Sequence, residues 1–156
     1  MRKLIYKLFS FVVISGLFLF MMSCELATDA YPIVETPPPE VKLALSVAKL
    51  ESKAVMLIFG ADWCPPCRHL DALLEKEEVK KELKLLYETV KIDIGNWDKN
   101  MDIANLYGNP VRQGIPGIVL LSSDGRIKDI IEYDVMSDLL VESPEMFVLY
   151  FQKNDL

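Results

Sequence analysis

Residues 54–60, with the sequence AVMLIFG, limit the choice of fold. Six apolar residues stand in a row before Gly60, with no polar residue among them. Such a short continuous apolar run is typical of a strand buried on both faces, because a half-exposed strand would alternate apolar and polar residues. Both faces must then be covered, so we predict an α/β domain with helices on both sides of a sheet.

Periodicity and turn residues predict the other elements. Asp124 and Gly125 are typical of a hairpin turn between two antiparallel strands. Helices separate the earlier strands, as parallel pairing requires. The expected fold is therefore a mixed sheet of about four strands flanked by helices on both faces. In chain order we predict a helix at 40–53, a strand at 54–60, a helix at 65–86, a strand at 87–94, a helix at 99–108, strands at 117–123 and 126–133, and a helix at 144–154.

The last predicted helix begins with Ser143 and Pro144, which suit the N-cap and the first helical position. Phe147, Leu149 and Phe151 leave its surface apolar nearly all round. We therefore expect this helix to be buried.

The N-terminal residues have the layout of a secretory signal. A basic start precedes an uncharged apolar run of 15 residues at 8–22, which is shorter than the ~20 residues that cross a bilayer comfortably. The segment FMMSC, which ends at Cys24, resembles a bacterial lipobox, and this resemblance implies a lipidated Cys24. We expect a signal peptide at 1–23, a proline-rich tether at 24–39 and one domain at 40–156.

The charge of the chain argues against some partners. The formal net charge is −6, and residues 1–23 carry three basic groups and no acidic one. The remainder is therefore still more acidic, which disfavours nucleic acid and anionic membrane surfaces as partners. Membrane attachment is expected to come from the lipid on Cys24.

With Cys24 as the anchor, Cys64 and Cys67 remain as a pair in the stretch ADWCPPCRHL. A structural zinc site needs four ligands, and His69 is the single histidine of the chain. A structural disulfide across three residues closes a very small loop and so gains little stability. A catalytic pair is the interpretation that we favour, with no metal.

The position of the pair suits thiol chemistry. Cys64 is predicted at the N-terminus of a helix, where unpaired amides and the helix dipole favour a thiolate. We expect Cys64 to be the exposed nucleophile and Cys67, one turn inside, to be the shielded thiol that resolves a mixed disulfide. Pro65 and Pro66 fit the first helical turn and remove two possible donors to Cys64, which leaves the amide of Cys67.

At these residues the chain resembles the thioredoxin superfamily. WCPPC is similar to the W-C-x-x-C active site of that family, and GIPG at 114–117 is similar to the segment that carries its cis-proline. The resemblance implies a thioredoxin-like fold in which Pro116 is cis and faces the cysteines. It also implies that the backbone of Ile115 pairs with the substrate chain and that Trp63 forms a packing and docking surface.

One departure concerns proton transfer. Members of the family carry a buried acid six residues before the first cysteine, and here that position is Ile58. Lys91 matches a family lysine near that acid, and because the acid is absent here the role of Lys91 is open.

The resemblance implies a thiol-disulfide oxidoreductase of the bacterial cell envelope that acts, as a reductase, on protein disulfides. It would be supplied by a membrane or envelope electron-donor protein and would need no cofactor beyond the Cys64–Cys67 disulfide. An alternative is a thioredoxin-like binding module whose disulfide is regulatory or structural. Peroxide reduction by Cys64 is a third hypothesis.

Overall fold

The computed structural model describes residue 34 and residues 36–154. By internal contacts the chain divides into residues 1–30 and 31–156, and the described residues belong to the second unit. The predicted signal peptide, the predicted lipidation site Cys24 and most of the predicted tether lie outside the described residues. The elements, in chain order, are α1 (Pro39–Glu51), β1 (Ala54–Gly60), α2 (Pro65–Leu74), α3 (Glu77–Leu86), β2 (Tyr87–Asp93), α4 (Met101–Leu106), β3 (Gly117–Leu121), β4 (Ile127–Ile131), α5 (Tyr133–Leu139) and α6 (Pro144–Asn154).

The four strands form one mixed sheet in the order β2-β1-β3-β4. Strand β1 pairs in parallel with β2 and antiparallel with β3, and β3 forms the predicted hairpin with β4. The predicted mixed four-stranded sheet is confirmed. The register of the sheet places Gly60 opposite Asp93 and Phe59 opposite Gly117.

Side chains alternate between the two faces of β1, so the strand contributes to two cores. Val55, Leu57 and Phe59 join α1 and α4 in one buried cluster, which also contains both cysteines. Met56 and Ile58 join α2, α3, α5 and α6 in the other. Helices therefore cover both faces, as the apolar sequence of β1 predicted.

The predicted helix at 65–86 is wrong, because the chain forms two helices with a break at residues 75–76. Leu70 and Val79 are nine residues apart, or about two and a half turns of an α-helix, so one straight helix would point them in opposite directions. Both side chains are buried in the same core. The break allows both apolar stripes to face the sheet.

The C-terminal third contains a helix that the sequence analysis missed. Strand β4 ends at Ile131, and α5 follows directly, burying Met136, Leu139 and Leu140. In α6 the hydroxyl of Ser143 accepts the amide of Met146 at 3.3 Å, as predicted for an N-cap.

The expected burial of α6 on all sides is wrong. Phe147 and Phe151 are fully buried, but Met146 is 50% exposed and Leu149 is 54% exposed. Helix α6 packs against α3 at the periphery of the sheet, so one face stays open to solvent. Across the part of the chain that the structure describes, no helix has both the length and the hydropathy of a membrane span.

Two buried tyrosines offer a matched test of the packing. The hydroxyl of Tyr87 donates to the carbonyl of Phe151 at 2.8 Å and so links β2 to α6. The hydroxyl of Tyr107 is buried without a partner among the described residues, and burial raises the pKa of Tyr107 to about 12.

Replacing each tyrosine by phenylalanine should therefore have different effects. Tyr87→Phe removes a satisfied buried hydrogen bond and should lower the free energy of unfolding by about 1 kcal/mol. Tyr107→Phe removes an unsatisfied hydroxyl and should leave the free energy of unfolding unchanged or raise it by about 1 kcal/mol. Urea unfolding of both variants measures the difference, and equal destabilisation by the two would contradict this packing.

Candidate active site

The cysteine pair lies where the chain leaves β1 and enters α2. Cys64 is the N-cap of α2, with φ −81° and ψ 117°, and its Sγ accepts the amide of Cys67 at 3.3 Å. Pro65 and Pro66 occupy the first two helical positions, as predicted. Because neither proline has an N–H group, the Cys67 amide is the donor that the helix offers to Cys64.

The exposure predicted for Cys64 is wrong. Cys64 is 3% exposed and Cys67 is 7% exposed, and both are free thiols. The Sγ of Cys64 donates to the carbonyl oxygen of Ile115 at 3.5 Å, and both residues belong to the same buried cluster. The segment before β3 therefore covers the first thiol, an effect of the tertiary fold that the local sequence does not reveal.

Cys67 is buried, but at 7% exposure it is no more shielded than Cys64 at 3%. The pKa of Cys67 is raised to about 12, mainly by burial and secondly by the hydrogen bond to Cys64. The backbone of Ala61 opposes this shift, and the charges of Cys64 and Asp71 add to it. Gly60 permits the close approach, because a Cβ there would lie 3.2 Å from the sulfur of Cys67.

The Ile115–Pro116 peptide bond is cis, as the resemblance implied. Pro116 is buried and lines a cleft beside Cys67. The next residue, Gly117, cannot be replaced by a residue with a side chain, because a Cβ there would lie 2.3 Å from the carbonyl oxygen of Pro110. The carbonyl of Ile115, just before the proline, faces Cys64.

Trp63 lies at the rim of the site and is 49% exposed. Its indole Nε1 donates to the carbonyl of Gly95 at 2.8 Å, which fixes the ring to the loop after β2. Nearby in sequence, Trp97 is 45% exposed with φ +67°. The docking role of Trp63 stays a prediction, for which its ring is exposed enough.

A cleft of about 130 Å³ opens on the Cys67 side of the pair. Cys67, Pro116 and Ile58 line it, together with Asp71 and Lys91. The carboxylate of Asp71 accepts a hydrogen bond from Nζ of Lys91 at 2.5 Å. The sequence analysis did not single out Asp71, although its position four residues after Cys67 places both on one face of α2.

A second groove, of about 310 Å³, lies along the first turn of α2. Pro65, Pro66 and His69 line one side, and Tyr133 and Val141 line the other. Tyr133 also packs against Gly114, where a Cβ would lie 3.1 Å from its ring. The groove therefore connects the cysteine motif with the segment that precedes Pro116. Among the described residues, no three His, Cys, Asp or Glu side chains are grouped to hold a metal ion.

A buried cysteine pair at a helix N-terminus, facing a cis-proline at the start of a strand, defines a thioredoxin-type site. A family model described as thioredoxin-like matches residues 39–123, which is more than half of the chain. The chain belongs to the thioredoxin-like family.

The structural comparison agrees with this assignment. A disulphide isomerase from Xylella fastidiosa Temecula1 is 32% identical, with a TM-score of 0.68, over 84% of this chain and 98% of that one. The reduced C-terminal domain of DsbD from Neisseria meningitidis shares the fold, with a TM-score of 0.53 at 24% identity over 74% of this chain and 94% of that one.

Curated relatives match a shorter stretch. Tryparedoxin from Trypanosoma brucei brucei is 37% identical over 41% of this chain and 43% of its own length. Thioredoxin from Rickettsia bellii is 36% identical over 48% of this chain and 63% of its own length. The chain thus spans less than two thirds of either relative.

The pKa of Cys67 yields a test in a Cys24→Ser, Cys64→Ser background, where Cys67 is the remaining cysteine. Its alkylation by iodoacetamide at pH 8 should be at least about 100-fold slower in the folded protein than in urea, because the buried thiol keeps its proton. The rate should rise with pH above 9. Equal rates in the folded and unfolded states would contradict the assignment of Cys67 as the shielded thiol.

Proposed function

We propose that the protein is a thiol-disulfide oxidoreductase that acts on protein disulfides through a cycle of Cys64 and Cys67. The observation that carries the proposal is the asymmetry between the two thiols. Cys64 is the N-cap of α2 and accepts the amide of Cys67, whereas burial keeps Cys67 protonated far above neutral pH. Cys64 is thus suited to attack the substrate first, and Cys67 is suited to react only after the mixed disulfide has formed.

The cycle begins when the Cys64 thiolate attacks one sulfur of a substrate disulfide. The bond between Cys64 and that sulfur forms as the substrate disulfide breaks, and the departing substrate sulfur takes a proton from water. The carbonyl of Ile115, 3.5 Å from Sγ of Cys64 in the free protein, then becomes available to an amide of the bound chain. This supports the docking role of Ile115 and Pro116.

Cys67 completes the cycle. Its sulfur attacks Cys64, loses its proton and releases the second substrate thiol, which leaves a Cys64–Cys67 disulfide. Two electrons have passed to the substrate, and a donor protein with its own dithiol restores the pair by the same exchange in reverse. No cofactor takes part beyond this disulfide.

A polypeptide substrate agrees with the surfaces around the pair. Trp63 offers an exposed ring, and the groove between Pro66 and Tyr133 runs beside the first turn of α2. Aromatic side chains are enriched in surfaces that bind other proteins. The disulphide isomerase relative supports substrates of the same class.

The reducing direction is supported by the small number of donors around Cys64. A strong oxidant stabilises its reduced form through a low-pKa thiolate. Here Pro65 and Pro66 supply no amide, and the helix offers the amide of Cys67. We therefore propose a reductase.

For location, we propose the bacterial cell envelope with anchoring through a lipid on Cys24, after removal of residues 1–23. The FMMSC segment and the apolar run before it support this. The mature chain should begin at Cys24 and carry acyl chains, and Cys24→Ser should retain residues 1–23. Intact-mass measurement of the membrane-extracted protein tests both, and an unmodified Cys24 would contradict the anchor.

The thioredoxin-like binding module is a second candidate, because both thiols are nearly inaccessible at 3% and 7% exposure. Such a module would bind a partner without turnover. Reduction of insulin with dithiothreitol as the electron source separates the two candidates.

The parent chain should catalyse insulin reduction, and the Cys24→Ser variant should be equally active. Cys64→Ser should abolish turnover, because the attacking sulfur is lost. Reduced Cys67→Ser, mixed with insulin after dithiothreitol is removed, should instead form a mixed disulfide that is visible on a non-reducing gel, because the resolving thiol is missing. Absence of turnover in the parent chain, with no trapped species in Cys67→Ser, would favour the binding module.

A further inference from the structure

The cleft beside Cys67 has a composition that the dithiol cycle alone does not explain. Its volume of about 130 Å³ has room for roughly four water molecules at ~30 Å³ each. Its titratable lining comes from three elements: Cys67 and Asp71 on α2, Asp62 in the turn before α2, and Lys91 and Asp93 on β2. A charged cleft with room for water thus reaches the thiol of Cys67.

Strand β1 provides no proton acceptor in this cleft. Ile58 lines it, at the position where thioredoxins carry a buried acid. The other cleft residue of β1 is Gly60, which has no side chain and allows the sulfur of Cys67 to approach. Any acid-base group for Cys67 must therefore come from another element.

Asp71 is placed to be that group. It lies four residues after Cys67 on α2, one turn along the same helical face. Lys91 reaches across from β2 and donates to Oδ1 of Asp71 at 2.5 Å, which holds the carboxylate at the cleft. The Asp71 side chain is 46% exposed, so a proton that it accepts can pass on to solvent.

The other two carboxylates are less suitable. The carboxylate of Asp93 accepts the amide of Gly95 at 2.9 Å and Nζ of Lys99 at 3.0 Å, which turns it toward the loop after β2. Asp62 is exposed in the turn before α2, and Arg68 binds its backbone carbonyl rather than its carboxylate. Neither lies on the helical face of Cys67.

We propose that Asp71, held by Lys91, is a positioning residue that accepts the proton of Cys67 through water in the cleft when Cys67 resolves the mixed disulfide. This inference rests on the proposed oxidoreductase function. As the Cys67 sulfur attacks Cys64, the S–H bond breaks and its proton passes through water to Oδ of Asp71. The Cys64–Cys67 bond forms, the bond from Cys64 to the substrate sulfur breaks, and the substrate leaves with the electron pair of that bond.

The two half-reactions can be timed separately with 5,5′-dithiobis(2-nitrobenzoate) as the disulfide and the full-length reduced chain in detergent, in a Cys24→Ser background. Attack by Cys64 releases one coloured thiolate, and resolution by Cys67 releases a second. Asp71→Asn should keep the rate of the first phase within about twofold of the parent rate. It should slow the second phase by about 100-fold, which is at the low end of general acid-base effects. Asp71→Ser is a second variant that lacks the carboxylate.

Four readouts separate proton transfer from a structural role. The second phase of Asp71→Asn should accelerate about tenfold per pH unit as hydroxide replaces the carboxylate, and added formate should restore part of its rate. Asp71→Glu should keep most of the parent rate. Adding Ile58→Asp to Asp71→Asn should restore resolution from the opposite wall of the cleft. Asp102→Asn, an exposed carboxylate on α4, controls for net charge and should match the parent.

A second phase of Asp71→Asn and Asp71→Ser that equals the parent in rate and pH dependence would overturn the inference while leaving the oxidoreductase intact. Slowing that neither formate nor Asp71→Glu relieves would also overturn it, because the effect would then be structural. Release of a single thiolate by the parent chain would instead contradict the proposed dithiol cycle itself.

Discussion

Strand β1 has no face exposed to solvent, and this constraint determines where the cysteines lie. Six of its residues are buried, so one helical layer must pack on each side of it. The chain leaves β1 at Gly60 and has three residues in which to turn before Cys64 caps α2. The same register brings Gly117 opposite Phe59, so the segment with Pro116 reaches the carboxyl end of β1 from the other side.

The two thiols differ in their contacts more than in their exposure. Cys64 and Cys67 differ little in exposure, yet Cys64 accepts the backbone amide at the start of a helix while Cys67 lies against Gly60 inside the first turn. Desolvation disfavours the charged form of Cys67. A protonated resolving thiol needs a path for its proton, and the cleft lined by Asp71 and Lys91 offers a polar route beside it.

Much of the fold could be predicted, because local signals and tertiary packing agree there. Strand β1 matches its predicted bounds, the hairpin at Asp124 and Gly125 forms, and Ser143 caps α6. The break between α2 and α3 was missed because residues 75–76 contain no glycine or proline. Only the need to point Leu70 and Val79 at one sheet reveals it. Helix α5 was missed because it is short and follows β4 without a breaking residue.

The site was predictable to the extent that its residues lie close in sequence. The WCPPC motif and Pro116 carried the resemblance, and the structure brings them together. The burial of Cys64 depends on Ile115, 51 residues away, and the pairing of Asp71 depends on Lys91, 20 residues away. Both are contacts between segments distant in sequence, which helical periodicity and motif spacing cannot specify.

The reduction potential of the Cys64–Cys67 pair tests the central claim most directly. The pair can be equilibrated in glutathione or dithiothreitol buffers in a Cys24→Ser background and the fraction of disulfide measured by mass after trapping. A reductase with few donors to Cys64 should have a potential near the ~−270 mV of thioredoxin. A value near the ~−120 mV of a strong oxidant would contradict the proposed direction and make the protein a disulfide donor.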